Sequence, residues 1–314
     1  FQVCSFDMFT VPWGQLPDQE WAEEDRNPSC LGEFVWTGFD YLGEPTPFNA
    51  DLTILTNFHD EEAKARAEKE LKEKGAIATP SRSSYFGIID LAGFPKDRYW
   101  LYKSRWSSEP VLHLMPHWNW PGREGKITPV QAYTNCAEAE RFVNGKSYGR
   151  KAKGANEYRF LWDNVVYEPG TVRVVGRTED GKTIESAVAT SGSPAKILMA
   201  REYGSGPSTE FGGDCAPAHS RTYSSEDIVF VDVKVADRDG NMVPTASDRL
   251  RFSVSGPGEI VAVDAGDATC HTPFRSDEIK AFGGLASVIV RRTGTGTVIL
   301  RAESEGLEAG ETEL

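Results

Sequence analysis

The pattern of hydrophobic and polar residues divides the chain near residue 108. Before that point it predicts one clear strand, Leu31–Trp36, and two helices. The first helix covers residues 60–74, with acids in its first turn, lysines in its last and Gly75 as a stop, and the second begins at Arg98. One strand with flanking helices cannot close a barrel of about eight strands. We therefore predict that the first part of the chain is a fragment of a larger fold.

After residue 108 the pattern changes to short alternating runs, which are separated by turn dipeptides such as Asn144-Gly145 and Asp239-Gly240. It predicts two sets of strands, with a Ser-Gly-Ser-Pro linker at residues 191–194 between them. The first set is Val111–Met115, Val130–Tyr133, Glu140–Val143, Tyr158–Trp162 and Thr171–Val175; the second is Ile228–Val235, Leu250–Val254, Ile260–Val263, Ala286–Val290 and Val298–Ala302. This pattern is typical of β-sandwich domains.

The composition narrows the choice of partners. The 314 residues carry a formal net charge of −13, which disfavours nucleic acid and anionic membranes. No apolar run approaches the roughly 20 residues of a membrane-spanning helix. The chain starts with Phe1 and has no initial methionine, so we expect it to be cut from a longer protein.

The cysteines and histidines do not form a metal-binding pattern. Five cysteines are widely spaced without a C-x-x-C pair, and we expect them to be buried as small apolar residues. They are Cys4, Cys30, Cys136, Cys215 and Cys270. His113 and His117 are four residues apart, but Pro116 lies between them and argues against a zinc pair on a helix.

Asp237, Asp239 and Asn241 alternate like the opening of a calcium-binding loop. The sixth position of such a loop needs glycine and is Met242 here, and the twelfth needs a glutamate and is Asp248. A hairpin turn explains the triplet better. We therefore predict no metal site from this motif.

The most informative motif is Gly32–Pro45, in which the predicted strand ends in Trp36 and is followed by Gly38 and Asp40. An indole offers a flat apolar face to a pyranose ring, and a carboxylate accepts hydrogen bonds from its hydroxyl groups. Trp36 and Asp40 are therefore the candidate substrate-binding residues. The alternatives are core packing for Trp36 and a helix or turn cap for Asp40.

A resemblance to a known family rests on two segments. Gly32–Pro45 resembles the last barrel strand of glycoside hydrolase family 2, the β-galactosidase family, and Pro80–Trp100 is similar to the segment that follows it in bacterial members. The resemblance implies a multidomain chain: the C-terminal remnant of a (β/α)8 TIM barrel in residues 1–107, followed by two all-β immunoglobulin-like sandwich domains in residues 108–192 and 193–314.

The resemblance also implies a reaction, the retaining hydrolysis of terminal β-D-galactosides, with Trp36 in the sugar pocket. This chemistry needs two carboxyl groups about 5 Å apart. Family members carry both on earlier barrel strands, so no catalytic residue is expected in this chain. On a strand, Glu33 would face away from Trp36, and Glu157 follows a turn. We expect the chain alone to be inactive without its upstream segment, joined covalently or bound as a separate chain.

The family pattern requires no cofactor here. Relatives hold a sodium ion with a phenylalanine carbonyl and an asparagine three residues later. Phe86 matches, but Ile89 stands at the second position and Asp90 is displaced by one residue. A sodium or magnesium ion is therefore not supported.

Two alternative functions stay open from the sequence. A β-glucuronidase or β-mannosidase of the same family is one, although no Asn-x-Lys signature stands near the strand end. A non-catalytic carbohydrate-binding or adhesion module is another. The sequence also leaves open a homo-oligomer and the compartment, bacterial cytoplasm or periplasm.

Overall fold

The computed structural model describes residues 14–44, 81–201 and 228–314, and seven single positions before residue 81. Five of these positions test the predicted helix over residues 60–74: Glu61, Glu62, Ala65, Arg66 and Lys69 are helical and exposed. The rest of that helix lies outside the described residues, as do Cys4 and Cys215.

Two further helices and fifteen strands have defined bounds in the described ranges. Helix α1 is Pro17–Arg26 and helix α2 is Asp97–Trp106. The first eight strands are β1 Leu112–Met115, β2 Val130–Thr134, β3 Glu138–Val143, β4 Lys146–Ala152, β5 Arg159–Trp162, β6 Thr171–Arg177, β7 Thr183–Ala189 and β8 Lys196–Arg201. The others are β9 Ile228–Ala236, β10 Arg249–Ser255, β11 Gly258–Asp264, β12 Glu278–Lys280, β13 Leu285–Arg292, β14 Ile299–Glu303 and β15 Gly310–Glu313.

Strands β1 to β7 form the first β-sandwich. Its sheets have the antiparallel orders β1-β2-β5 and β4-β3-β6-β7. Alternate residues of β6 point inward, so that Val172 and Val174 are fully buried against Trp118 and Phe160. Burial of these side chains removes a large apolar area from water and stabilises the pairing of the two sheets.

Strands β8 to β15 form a second sandwich, with sheets β11-β13-β9-β8 and β12-β10-β14-β15. Valines at alternate positions of β9 face Leu250 and Leu300 of the opposite sheet in one core. The connection between the sandwiches runs through residues 190–195. There the Gly192 amide donates to the Asp237 carboxylate at 2.8 Å.

Asp237 confirms the hairpin interpretation of its motif. Its carboxylate also accepts the backbone N–H groups of Asp239 and Asn241, which closes the turn after β9. Burial alone would raise its pKa, but these hydrogen bonds hold the pKa of Asp237 below its ordinary value. No group of three or more metal-ligating side chains is found in the described part of the chain.

The N-terminal helices pack on the first sandwich. Trp21 of α1 is fully buried, with its ring edge-on to Tyr102 of α2 and Tyr158 near β5, at 5.4 and 5.2 Å between ring centroids. Asp18 forms a partly buried ion pair with Arg159, whose guanidinium also donates to the Tyr133 hydroxyl at 3.0 Å. The helices before residue 108 therefore pack directly against the first sandwich.

The prediction of a strand at Leu31–Trp36 is wrong. Residues 31–36 are irregular, and Phe34 is 102% exposed. A strand needs a neighbour for its backbone groups, and the described residues give this segment none. Pairing begins only beyond it, in isolated bridges from Phe39 to Ile89 and from Leu42 to Ser83. The barrel remnant in residues 1–107 stays a prediction, as does the immunoglobulin-like class of the sandwiches.

The cysteine expectation holds only in part. Cys136 is buried and Cys270 is half-buried, but Cys30 is exposed in the loop after α1, where no core is near enough to cover it. His113 and His117 do not share a helix, since His113 lies on β1 and the chain turns at Pro116. No helix of the described residues is long and apolar enough to cross a membrane.

Candidate functional site

The predicted site residues lie on two segments that pair with each other, residues 36–44 and 81–96, which we call the rim. Phe39 bridges Ile89 in parallel, and Leu42 bridges Ser83 in antiparallel orientation. Backbone hydrogen bonds from Asp40 to the Ile89 carbonyl, at 2.8 Å, and from Ile88 to the Thr37 carbonyl, at 3.0 Å, extend this pairing. The rim therefore has a defined shape without being a regular sheet.

Trp36 stands at the start of the rim with its side chain directed to solvent. The residue is 77% exposed, so the indole is not part of a core in this chain. Close by in sequence, Tyr41 packs edge-on against Phe86, with 5.7 Å between ring centroids. The hydrogen bond from Tyr41 to Glu44 raises the pKa of the tyrosine. The rim thus presents exposed aromatic surface of the type that stacks on sugar rings.

Asp40 is enclosed rather than open to a ligand. The residue is 7% exposed, and its Oδ1 accepts the Gly87 amide at 2.8 Å and the Ser84 hydroxyl at 3.2 Å. Its Oδ2 forms an ion pair with Lys96 at 2.5 Å. These contacts fit a carboxylate that holds the two segments of the rim together. Such a structural role resembles the turn cap that was the alternative for Asp40. Contact between Asp40 and a sugar stays a prediction.

Two partners of Asp40 have roles that the sequence motif does not reveal. A Cβ at Gly87 would lie 2.1 Å from the Asp40 backbone nitrogen, so only glycine allows the two segments to approach this closely. Lys96 precedes the first residue of α2 and also donates to the Tyr85 carbonyl at 2.8 Å. The sequence shows a glycine and a lysine in the Pro80–Trp100 segment. No pattern of neighbouring residues indicates that either one contacts Asp40.

Asp90 lies at the far end of the rim, in a tight turn. Its Oδ1 accepts the Phe94 amide at 2.9 Å, and its carboxylate packs against Gly266, where a Cβ would lie 2.0 Å from Oδ2. Burial raises the pKa of Asp90 to about 7, and the charges of Asp264 and Asp40 act in the same direction. Asp90 is therefore occupied by its own turn and by the second sandwich.

Arg82 ties the rim to the loop between β11 and β12 of the second sandwich. Its Nη2 pairs with Asp264 Oδ2 at 2.8 Å, across 182 residues of sequence. Its Nη1 donates to the Thr272 carbonyl at 3.1 Å, and its guanidinium lies 4.4 Å from the centre of the Phe274 ring. The backbone N–H of Arg82 also donates to the Ala268 carbonyl at 2.8 Å. The second sandwich therefore buttresses the rim directly.

Glu33 and Glu157, the two glutamates compared with a catalytic acid in the sequence, both have structural partners. Glu33 accepts the indole N–H of Trp21 at 2.7 Å, and burial, with the neighbouring Glu20, raises the pKa of Glu33 to about 7. Glu157 is exposed and accepts the Gly154 amide at 2.7 Å, which fits the predicted turn. Their contacts are those of structural carboxylates.

Comparison with known proteins identifies the class of this chain. The model of glycoside hydrolase family 2 C-terminal domain 5 matches residues 218–313, and that of a domain of unknown function, DUF4982, matches residues 125–185. Beta-galactosidase BoGH2A from Bacteroides ovatus is 38% identical over 311 residues, 98% of this chain and 31% of that protein. A putative beta-glucuronidase from Formosa agariphila is 32% identical over 180 residues, 56% of this chain and 15% of that protein.

The solved structures agree with these relatives. A beta-glycosidase from Bacteroides vulgatus superposes with a TM-score of 0.74 at 28% identity, over 95% of this chain and 32% of that one. The chain belongs to glycoside hydrolase family 2 and represents a C-terminal portion of such a protein. It spans about a third of the length of the relatives that it matches almost throughout.

The contact between Arg82 and Asp264 generates a first prediction. Arg82→Met keeps an apolar stem over Phe274 but leaves Asp264 without its cation. Removing one partner of a buried pair costs about 3 kcal/mol or more, equivalent to roughly 100-fold faster local opening. Hydrogen exchange read by mass spectrometry should show this at residues 81–84 and 264–272.

Arg301→Met is the matched control. Arg301 pairs with Glu303 and Glu311 on the exposed face of the same sandwich, where ion pairs contribute little. Unchanged exchange in Arg82→Met, or an equal change in both variants, would contradict the assigned role.

Asp90 generates a prediction about pH. Folding raises its pKa from 3.8 to about 7, so the folded chain binds a proton that the unfolded chain has released in that window. The free energy of unfolding should therefore fall as the pH rises from about 4 to about 7. In Asp90→Asn this fall should be smaller, as measured by urea unfolding across the range. Asp163→Asn, at an exposed carboxylate, is the control and should keep the wild-type slope.

Proposed function

We propose that this chain is the C-terminal portion of a retaining exo-glycosidase that hydrolyses terminal β-D-galactosides. The observation that carries the proposal is the exposed Trp36 indole on a rim fixed by Asp40 and Arg82. The similarity to a β-galactosidase over 98% of the chain supports the substrate class. In this proposal the rim is the end of a (β/α)8 barrel, and active sites of such barrels lie where their strands end.

The indole supplies binding rather than chemistry. A pyranose presents an apolar face of C–H groups, which stacks on a tryptophan ring at little cost in conformational entropy. The Asp40 contacts with Gly87 and Lys96 keep the rim in one arrangement, so that the indole is oriented before the substrate arrives. Asp40 acts on the sugar chiefly through this orientation, because both of its oxygens are already engaged.

The acid/base and the nucleophile belong to an upstream segment. Retaining hydrolysis requires two carboxyl groups about 5 Å apart that stabilise an oxocarbenium-like transition state. Glu33 and Glu157 are each bound to structural partners, which fits a chain that completes a pocket without performing the reaction. The proposal needs no cofactor.

Exposed apolar residues near the rim support a covering partner. Leu31, Phe34 and Leu42 are exposed and close to Trp36 in sequence, and large apolar side chains that are exposed together usually mark an interaction surface. The occupant we propose is the upstream part of the same enzyme, covalently joined or bound as a separate chain.

β-Glucuronidase is the second candidate. The relatives from Formosa agariphila that carry this name support it. A glucuronide brings a carboxylate that requires a cation, and the rim cations Lys96 and Arg82 are already paired with Asp40 and Asp264. These pairings favour the galactoside. Activity of the complete enzyme toward aryl glucuronides above galactosides would reverse the order.

The chain alone should be catalytically silent. The purified 314-residue chain is assayed against aryl β-galactosides, β-glucuronides and β-mannosides, first alone and then with its upstream segment. We expect no hydrolysis above background until the segment is added, because the acid and nucleophile enter with it. Hydrolysis by the chain alone that Glu33→Gln or Glu157→Gln abolishes would contradict the proposal.

Trp36→Ala in the complete enzyme should lower kcat/KM for an aryl β-galactoside. Losing the stacking face should cost about 10- to 100-fold, or roughly 1.4–2.8 kcal/mol of transition-state binding. Because the indole is exposed in the 314-residue chain, the same substitution in that chain should leave its thermal unfolding unchanged. Trp106→Ala, which removes another exposed indole from α2, is the control. Wild-type kcat/KM in Trp36→Ala would show that the indole does not bind sugar.

A further inference from the structure

A second polar site lies at one edge of the first sandwich, between strands β4 and β5. Each is the last strand of its own sheet, and every residue of β4 is exposed. Arg141 of β3 lies close to side chains of both edge strands, at the point where the register of β3 and β4 shifts between Glu140 and Phe142. A bulge of this kind redirects a side chain toward the sheet edge.

Within the described residues, aromatic rings and no carboxylate contact the Arg141 guanidinium. It lies 4.8 Å from the centre of the Tyr148 ring on β4 and 5.8 Å from that of Trp162 on β5. The residue is 8% exposed, and its Nε is buried without an acceptor. Burial lowers its pKa. A buried guanidinium without a carboxylate is unfavourable, because the rings replace only part of its lost hydration.

Two other arginines, the buried Arg159 and the half-buried Arg82, show what is missing here. Arg82 pairs with Asp264, and Arg159 pairs with Asp18. Among the described residues no carboxylate contacts Arg141 in the same way. On β3 itself, Glu138 and Glu140 pair with Arg150 of β4.

The surroundings of Arg141 suit a ring that carries a negative charge. Tyr148 is 52% exposed, and the Lys146 ammonium lies 5.3 Å from its ring centre. Two cations and a partly exposed aromatic ring therefore lie together on a chain whose net charge is −13. A planar guanidinium binds a carboxylate through two parallel hydrogen bonds, and a tyrosine ring stacks on a pyranose.

We propose that Arg141, Lys146 and Tyr148 form an accessory binding site for the carboxylate of an acidic sugar, a uronic acid residue. The guanidinium receives the carboxylate, Lys146 adds charge, and Tyr148 supports the ring. The site binds without performing chemistry. It does not rest on the hydrolytic function proposed for the rim.

An acidic peptide fits the same place less well. A peptide would pair with the open edge of β4, but that edge is interrupted by the bulge opposite Arg141 and by Gly149, which has a φ of +85°. Such irregularities break the row of backbone groups that an added strand needs. A single monosaccharide unit requires no such row.

The test is a titration of the complete 314-residue chain with methyl β-D-glucuronide. Binding is measured by saturation-transfer NMR and by calorimetry. Methyl β-D-glucoside has the same ring without the carboxylate, and acetate has the carboxylate without the ring. An Asp-containing tripeptide represents the peptide alternative. We expect saturable binding of the glucuronide, about tenfold or more tighter than each of the other three.

Variants then identify the site. Arg141→Met and Tyr148→Ala should each weaken glucuronide binding about tenfold, and Arg141→Lys should weaken it by a smaller factor because a lysine lacks the planar fork. Arg173→Met is the matched control, since Arg173 also lies over a ring, that of Phe142, but is paired with Glu185. Its binding should stay within about twofold of the wild type.

The outcomes are decisive in each case. If Arg141→Met fails to fold by circular dichroism, the exposed Tyr148→Ala and the charge-conserving Arg141→Lys decide. Absence of saturable glucuronide binding, equal binding of acetate or of the tripeptide, or equal loss in Arg173→Met would overturn the proposal. Hydrolysis assays of the complete enzyme are read separately, so that a failure at the rim leaves this result unaffected.

Discussion

The buried carboxylate of Asp40 is the constraint on which the rest of the rim depends. A carboxylate enclosed in protein must be paired and hydrogen-bonded, and here the Lys96 ammonium and the Gly87 amide meet that need. The pairing brings residues 36–44 against residues 81–96 and fixes where α2 begins. It also requires glycine at position 87. The orientation of Trp36 follows from this arrangement.

The second sandwich extends the same constraint. Arg82 lies between the rim and the β11–β12 loop, and its contacts with Asp264, Thr272 and Phe274 join segments that are far apart in sequence. The second sandwich therefore has a structural role at the rim, because part of it supports the segment proposed to bind sugar. In the same way, Trp21 joins helix α1 to the first sandwich, because its ring packs against Tyr102 of α2 and Tyr158 near β5.

Where the alternation of residues is strong, the predicted strands agree with the structure. In strands β6, β9 and β13, inward-facing apolar residues recur at every second position. A short stretch of sequence is enough to detect this period of two. Strand β4 was missed because every residue of it is exposed, so no alternation exists to detect. Leu31–Trp36 failed for the opposite reason: an apolar run indicates burial, and this segment lacks a strand beside it in the described residues.

By itself, the sequence determined the two β-sandwiches, the helix after Lys96, the turn at Asp237 and the family, because each depends on residues close together in the chain. Only the tertiary structure decided which groups meet across long separations. It enclosed Asp40, joined Arg82 to Asp264, and left Arg141 between two rings without an anion. Local patterns record whether a side chain prefers to be buried. Its electrostatic partner is chosen by the fold, and that choice separates a structural carboxylate from one that is free to bind.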